Sequence, residues 1–148
     1  GVALAERCLP EDSSAAQGLA KFAELCGIAF QIQDDILGLS GEVETLGKPI
    51  GSDIREGKRT LLALRALKAC SEKDRKALLG VLGNAAASDA DIEKARRILL
   101  RSRSLEGVRE YSEACVEQAM ALLREHLPDN RWRDLLADWA RSMTRRSM

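Results

Sequence analysis

Residues 30–60 read FQIQDDILGLSGEVETLGKPIGSDIREGKRT and hold the residue types best suited to chemistry. Asp34 and Asp35 are adjacent carboxylates in an otherwise apolar stretch. Two neighbouring like charges repel, and burying them is costly unless a cation compensates. A few carboxylate oxygens suit Mg²⁺, which keeps waters and completes its shell from substrate phosphate. Downstream stand two glycine–lysine pairs, Gly47-Lys48 and Gly57-Lys58. Glycine lets backbone approach a ligand, and lysine supplies a point charge for phosphate. Acid on a helix followed by lysines on loops is a pattern for a metal-bound polyphosphate. Each part alone is commonplace: acidic pairs decorate many solvated helices, and a single Gly-Lys is ordinarily a surface loop.

The lysine pairs are not P-loops. That motif needs four residues between its glycines, then Lys-Ser or Lys-Thr. Here five residues lie between Gly41 and Gly47 and five between Gly51 and Gly57, and the lysines precede Pro49 and Arg59. Asp53 suits either a metal's water shell or a helix cap. Arg55 and Arg59 suit solvent or a pairing with Glu56. The four cysteines (Cys8, Cys26, Cys70 and Cys115) form no Cys-x-x-Cys pair and are far from His126. A zinc site is therefore not expected, and small thiols in a reducing compartment are.

The acid pair needs a helix to hold it. Ser14, three residues before Gln17, has capping-box spacing, so a helix is expected from about Ala15 to Leu39. That helix is apolar on most sides, as in a bundle interior. At ~100° per residue, Gly27, Gln31, Asp34, Asp35 and Gly38 fall on one stripe. Glycines and Pro49 make 41–58 a loop with one short turn. Further helices are expected over 59–69, 72–82 after a Ser71 cap, and 90–103 after Ser88 or Asp89. Two more follow, from a Ser104 cap to Leu127 and from Asn130 onward. Val2 to Cys8 reads as the tail of a helix already under way, so the chain is expected to be a piece of a longer protein. Strand signals are absent, and the reading is all-α with about six helices. Trp132 and Trp139 suit core or a docking surface, and Arg141, Arg145 and Arg146 a basic helix end.

Composition excludes some partners. The 148 residues carry Lys+Arg 23 against Asp+Glu 23, and aromatics are 3%. A zero net charge with few aromatics gives no footprint for nucleic acid. No apolar run reaches membrane-spanning length and no signal peptide is visible, so a cytoplasmic location is expected. Hydrophobic residues at 45% support a packed core.

The combined pattern Phe30-Gln31-x-x-Asp34-Asp35, Gly47-Lys48, Gly51-x-Asp53 and Gly57-Lys58-x-Thr60-Leu61 resembles the trans-isoprenyl (polyprenyl) diphosphate synthases. The likeness is strongest to bacterial geranylgeranyl- and farnesyl-type enzymes, particularly actinobacterial ones. It implies the all-α isoprenoid synthase fold, with residues 1–148 as the C-terminal half of the domain. It implies a Mg²⁺-dependent prenyltransferase that condenses an allylic diphosphate with isopentenyl diphosphate, as a homodimer when complete. Carried over by position, Asp34 resembles a metal ligand of the second Asp-rich motif, with Asp35 supporting it. Asp53 resembles a water-mediated metal contact. Gln31, Lys48 and Lys58 resemble the residues that hold the allylic diphosphate, and Phe30 an aromatic near the isopentenyl site.

Two departures stand out. The second motif normally ends in a further Asp one turn on, and here that residue is Gly38. Bacterial members with glycine there keep this compatible with an enzyme. The first Asp-rich motif and its following Lys-Thr pair are not in these residues, so the chain alone is expected to be inactive. A non-catalytic regulatory or binding subunit of the same fold is the alternative, favoured by Gly38. A terpene cyclase of similar fold is a third reading, opposed by the two Gly-Lys pairs.

Overall fold

The structure, a computed structural model, describes residues 13–40 and 50–142. Among these it is all-α, with seven helices: α1 (Ser14–Ser40), α2 (Ser52–Arg55), α3 (Leu61–Ala69), α4 (Glu72–Val81), α5 (Asp89–Arg101), α6 (Arg103–His126) and α7 (Arg131–Ser142). The count of about six excluded the single turn of α2. The expected Val2–Cys8 helix tail, Lys48, Arg145 and Arg146 lie outside the described residues.

Hydroxyl and amide caps start most of the helices. Thr60 accepts the Ala63 N–H at 3.1 Å, Ser71 that of Asp74 at 3.1 Å and Ser88 that of Asp91 at 3.2 Å. The Asn130 side chain accepts from Trp132 and Arg133 at the start of α7. Each occupies a donor the helix cannot satisfy itself, at a gain of about 1 kcal/mol. Two expected caps are corrected. Ser13, not Ser14, accepts the Ala16 N–H, at 3.2 Å. The Ser14 hydroxyl instead bonds His126 Nδ1 at 3.0 Å. Ser104 is buried inside α6 rather than capping it, because α6 begins directly after Ser102.

The chain forms two compact units, Gly1–Gln33 with Tyr111–Ser147, and Asp34–Glu110. In the first, Phe22, Leu25, Cys26 and Ala29 of α1 form one core with Cys115, Val116, Ala119, Met120 and Leu123 of α6. The spacing by threes and fours puts each set on one helix face. Ala137 and Ala140 bring α7 onto that core. A fully buried Leu or Phe here contributes about 1.5–3 kcal/mol. Buried Ser112 donates to the Ala29 carbonyl at 3.3 Å, which satisfies its hydroxyl. The Cys26 thiol is pushed up to about 11 by burial, and burial also raises that of Cys115. Both are free thiols held in the unreactive protonated form.

In α7, Trp132 is 61% exposed and Trp139 50%. Neither is a core residue, although the Trp139 ring meets Phe22 at 6.3 Å between centroids. Arg131 lies over the Trp132 ring at 4.2 Å. Arg141 pairs with Asp138.

In the second unit α5 is the common support. It packs against α2, α3 and α4 through Ile92, Ala95, Ile98 and Leu99, all buried. Leu62, Ala63 and Ala66 of α3, Leu78 of α4, and Ile36 and Leu39 of α1 complete that core. Polar contacts to backbone add direction to the packing. Arg96 donates to the Leu39 carbonyl, Arg65 to that of Gly107 at 2.7 Å, and Arg101 pairs with Asp74 at 2.9 Å.

Candidate functional site

The site residues stand on α1 and on the segment from Gly51 to Thr60. Asp34 and Asp35 are both half-buried on the C-terminal part of α1, between buried Ile32, Ile36 and Leu39. Successive helical residues turn by ~100°, so the two carboxylates face different directions. Asp35 is the one that lines a small cleft with Asp53, Lys58, Thr60, Leu82 and Leu99.

The backbone of the loop is set by glycine and by α5. Gly51 has φ 76, a left-handed conformation that other residues resist. Its N–H donates to the Gly38 carbonyl at 3.3 Å. A Cβ at Gly51 would lie 2.7 Å from Ile92 Cγ2. Gly51 also occupies the cap position of α2, so α2 has no side-chain cap. Arg55, expected in solvent or against Glu56, instead reaches across to α5's start. It donates to the Ala87 carbonyl at 2.6 Å and to Asp89 at 2.8 Å.

Asp53 is 7% exposed, and a buried carboxylate needs a partner. Lys58 supplies it, with Nζ 2.7 Å from Asp53 Oδ1 and 3.3 Å from Glu56 Oε2. The Lys58 N–H also donates to the Asp53 carbonyl at 2.9 Å. The hydrogen bond to Asp53 holds the Lys58 ammonium above its ordinary pKa, against some loss of solvation and with help from Glu56. Lys58 therefore stays charged through the neutral range while its side chain remains about half exposed.

The structure thus gathers Asp35, Asp53 and Lys58 at one cleft, and places Asp34 one residue along the same helix. Gln31 and Phe30 lie earlier on α1, within the first unit. Lys48 is outside the described residues. Gly38, where the family motif ends in Asp, is buried with its carbonyl bonded to Gly51. Sequence reasoning missed the Leu82–Gly83 turn and the Ile92 support. Gly83-Asn84 reads only as a helix stop, and no spacing rule links it to residues 53–58.

Among the described residues, no three or more His, Cys, Asp or Glu side chains form a cluster able to hold a metal ion. Asp34 and Asp35 carry the oxygen donors a hard cation takes, but facing different ways they would not both ligate one ion, and most of its shell would come from water and phosphate. Asp53 already carries the Lys58 ammonium on Oδ1, which suits a role beside such a cation better than direct ligation.

Comparison with known proteins places these residues in context. Residues 1–99 match the family model described as polyprenyl synthetase. The chain is 48% identical over 83 residues to the short chain isoprenyl diphosphate synthase of Methanocaldococcus jannaschii, covering 56% of this chain and 25% of that protein. It is 42% identical over 107 residues to the geranylgeranyl diphosphate synthase of Saccharolobus solfataricus, covering 72% of this chain and 32% of that protein. Its fold is similar to the geranylgeranyl pyrophosphate synthase of Corynebacterium glutamicum complexed with isoprenyl diphosphate and magnesium, with TM-score 0.81 and 30% identity. That likeness covers 92% of this chain and 39% of the other. The chain therefore spans well under half the length of these relatives.

Proposed function

The chain belongs to the polyprenyl synthetase family, and from that premise we propose that it supplies the diphosphate-binding half of a trans-prenyltransferase. The reaction joins an allylic diphosphate to isopentenyl diphosphate. The allylic C–O bond breaks and pyrophosphate leaves, the isopentenyl double bond attacks the allylic carbon, and a proton is lost from the new chain. The carrying observation is the half-exposed Lys58 ammonium, anchored on buried Asp53, inside the family-matched segment.

Lys58 holds a positive charge at the cleft. Together with Gln31 and Lys48 it would bind the departing diphosphate and stabilise the charge that grows on it. Asp34, supported by Asp35, would hold Mg²⁺, with Asp53 in contact through water. Magnesium, when bound, would act as a Lewis acid on the leaving oxygens. Phe30 would lie near the isopentenyl site. The reading includes a cytoplasmic protein and a homodimer of the longer form.

Calorimetric titration of the chain with magnesium pyrophosphate tests this reading. Binding that weakens in Lys58→Ala and Asp34→Ala is expected, with no turnover by the chain alone. Equal affinity in the parent and both variants would remove the assignment. Gly38 favours the second reading, a non-catalytic subunit of the same fold. Turnover by a longer form that includes the first Asp-rich motif separates the two.

A further inference from the structure

We propose that Gly83, in the turn after α4, is a positioning residue for Lys58. This rests on the reading of Lys58 as a diphosphate-binding residue.

Lys58 belongs to a tight loop whose geometry depends on a neighbour outside the motif. The Ile54 carbonyl accepts two N–H groups, from Gly57 at 3.1 Å and from Gly83 at 3.0 Å. The two glycines meet backbone to backbone. A Cβ on Gly57 would stand 2.7 Å from Gly83 Cα and 3.0 Å from Gly83 N. No side chain tip could swing aside there, because the obstructing atoms are main chain. Both glycines have positive φ, 71 for Gly57 and 76 for Gly83. The left-handed bend at Gly57 is what returns the chain so that the Lys58 N–H reaches the Asp53 carbonyl at 2.9 Å. The Lys58 ammonium then reaches the Asp53 carboxylate at 2.7 Å. Leu82, next to Gly83, forms part of the same cleft wall as Asp53 and Lys58. The glycine before the lysine is therefore needed for contact with the 82–83 turn, and that turn sets where the lysine points.

The test uses this chain with Gly83→Ala and Gly83→Asn. A Cβ at Gly83 would meet Gly57 Cα at 3.5 Å, an ordinary contact. The alanine variant therefore strains only the positive φ, which asparagine tolerates better. The first readout is the titration of the Lys58 ammonium, followed by the ¹³C shift of its Cε. It is expected above the ordinary lysine range in the parent, lower in Gly83→Ala, and restored in Gly83→Asn. The second readout is magnesium pyrophosphate affinity in a double-mutant cycle. Gly83→Ala should weaken binding by about tenfold in the parent and by much less in Lys58→Met, the sign of two residues acting through one interaction. An unchanged Lys58 titration in a folded Gly83→Ala chain would overturn the proposal, and so would equal losses in both backgrounds. A parent chain that binds no pyrophosphate would remove the functional reading, while the titration still decides the positioning.

Discussion

Lys58 Nζ stands 2.7 Å from Asp53 Oδ1, and the two residues share a second bond from the Lys58 N–H to the Asp53 carbonyl. One cation is thus held by both the side chain and the main chain of one acid. The acid is nearly buried and the lysine about half exposed, with Glu56 Oε2 3.3 Å from the same ammonium, so the charge is anchored between two acids while part of the side chain still meets solvent. An anion arriving from solvent meets a lysine whose stem is already placed, which lowers the ordering cost of binding.

The Asp53–Lys58 pair should make stability depend on alkaline pH. Lys58 has a folded pKa raised above 10.5, chiefly by Asp53. Its contribution is therefore fully present below the ordinary lysine value and disappears as pH rises through the higher folded value. Urea unfolding of the parent and Lys58→Met between pH 8 and 12, about the range that brackets lysine titration, should show a stability gap that closes at the alkaline end. A gap independent of pH would dissociate the pair from stability.

Gly18 is required by close packing in the first unit. A Cβ there would lie 2.2 Å from His126 Cδ2. Gly18→Ala must displace the imidazole and break its 3.0 Å bond to Ser14. The expected loss is about 1–3 kcal/mol, the range for overpacking, read from the urea midpoint at constant m. A midpoint equal to the parent's would mean the ring moves without cost.

Gly38→Asp places a carboxylate at a buried helical position. Without magnesium it should lower stability by at least about 1–3 kcal/mol, the cost of an unsatisfied buried polar group, which is larger for a charged one. Magnesium should then raise the variant's thermal midpoint more than the parent's, because carboxylates at 34 and 38 share a helix face. Equal magnesium responses in the two proteins would detach position 38 from the metal.

In a longer form with both Asp-rich motifs, Asp34→Ala and Lys48→Ala should each lower kcat/KM by at least about a hundredfold. That is the scale of removing one group that stabilises leaving-group charge. Steady-state kinetics with an allylic diphosphate and isopentenyl diphosphate check this. Unchanged constants would reassign the residues to structure.

Helix positions were legible because their signals are local. The caps Ser71, Ser88 and Asn130 act within three residues, and buried Ile92, Ala95, Ile98 and Leu99 repeat at helical spacing; the helix expected from residue 59 instead starts at Leu61 behind a Thr60 cap. Choosing between Ser13 and Ser14 was not a local matter. Both residues can cap, and His126, far along the chain, takes the Ser14 hydroxyl. The same holds for Arg55, whose partners Ala87 and Asp89 lie more than thirty residues away.

By itself the sequence determined the all-helical class, the acid pair on α1, and the family pattern from Phe30 to Leu61. These depend on residue type and short spacing, which the chain carries wherever it folds. Only the tertiary structure decided that Asp35 rather than Asp34 lines the cleft, that Asp53 is neutralised by Lys58, and that Gly57 rests on Gly83. Those relations arise when α5 and the turn before it pack behind the loop, and burial then requires each buried polar group to find a partner.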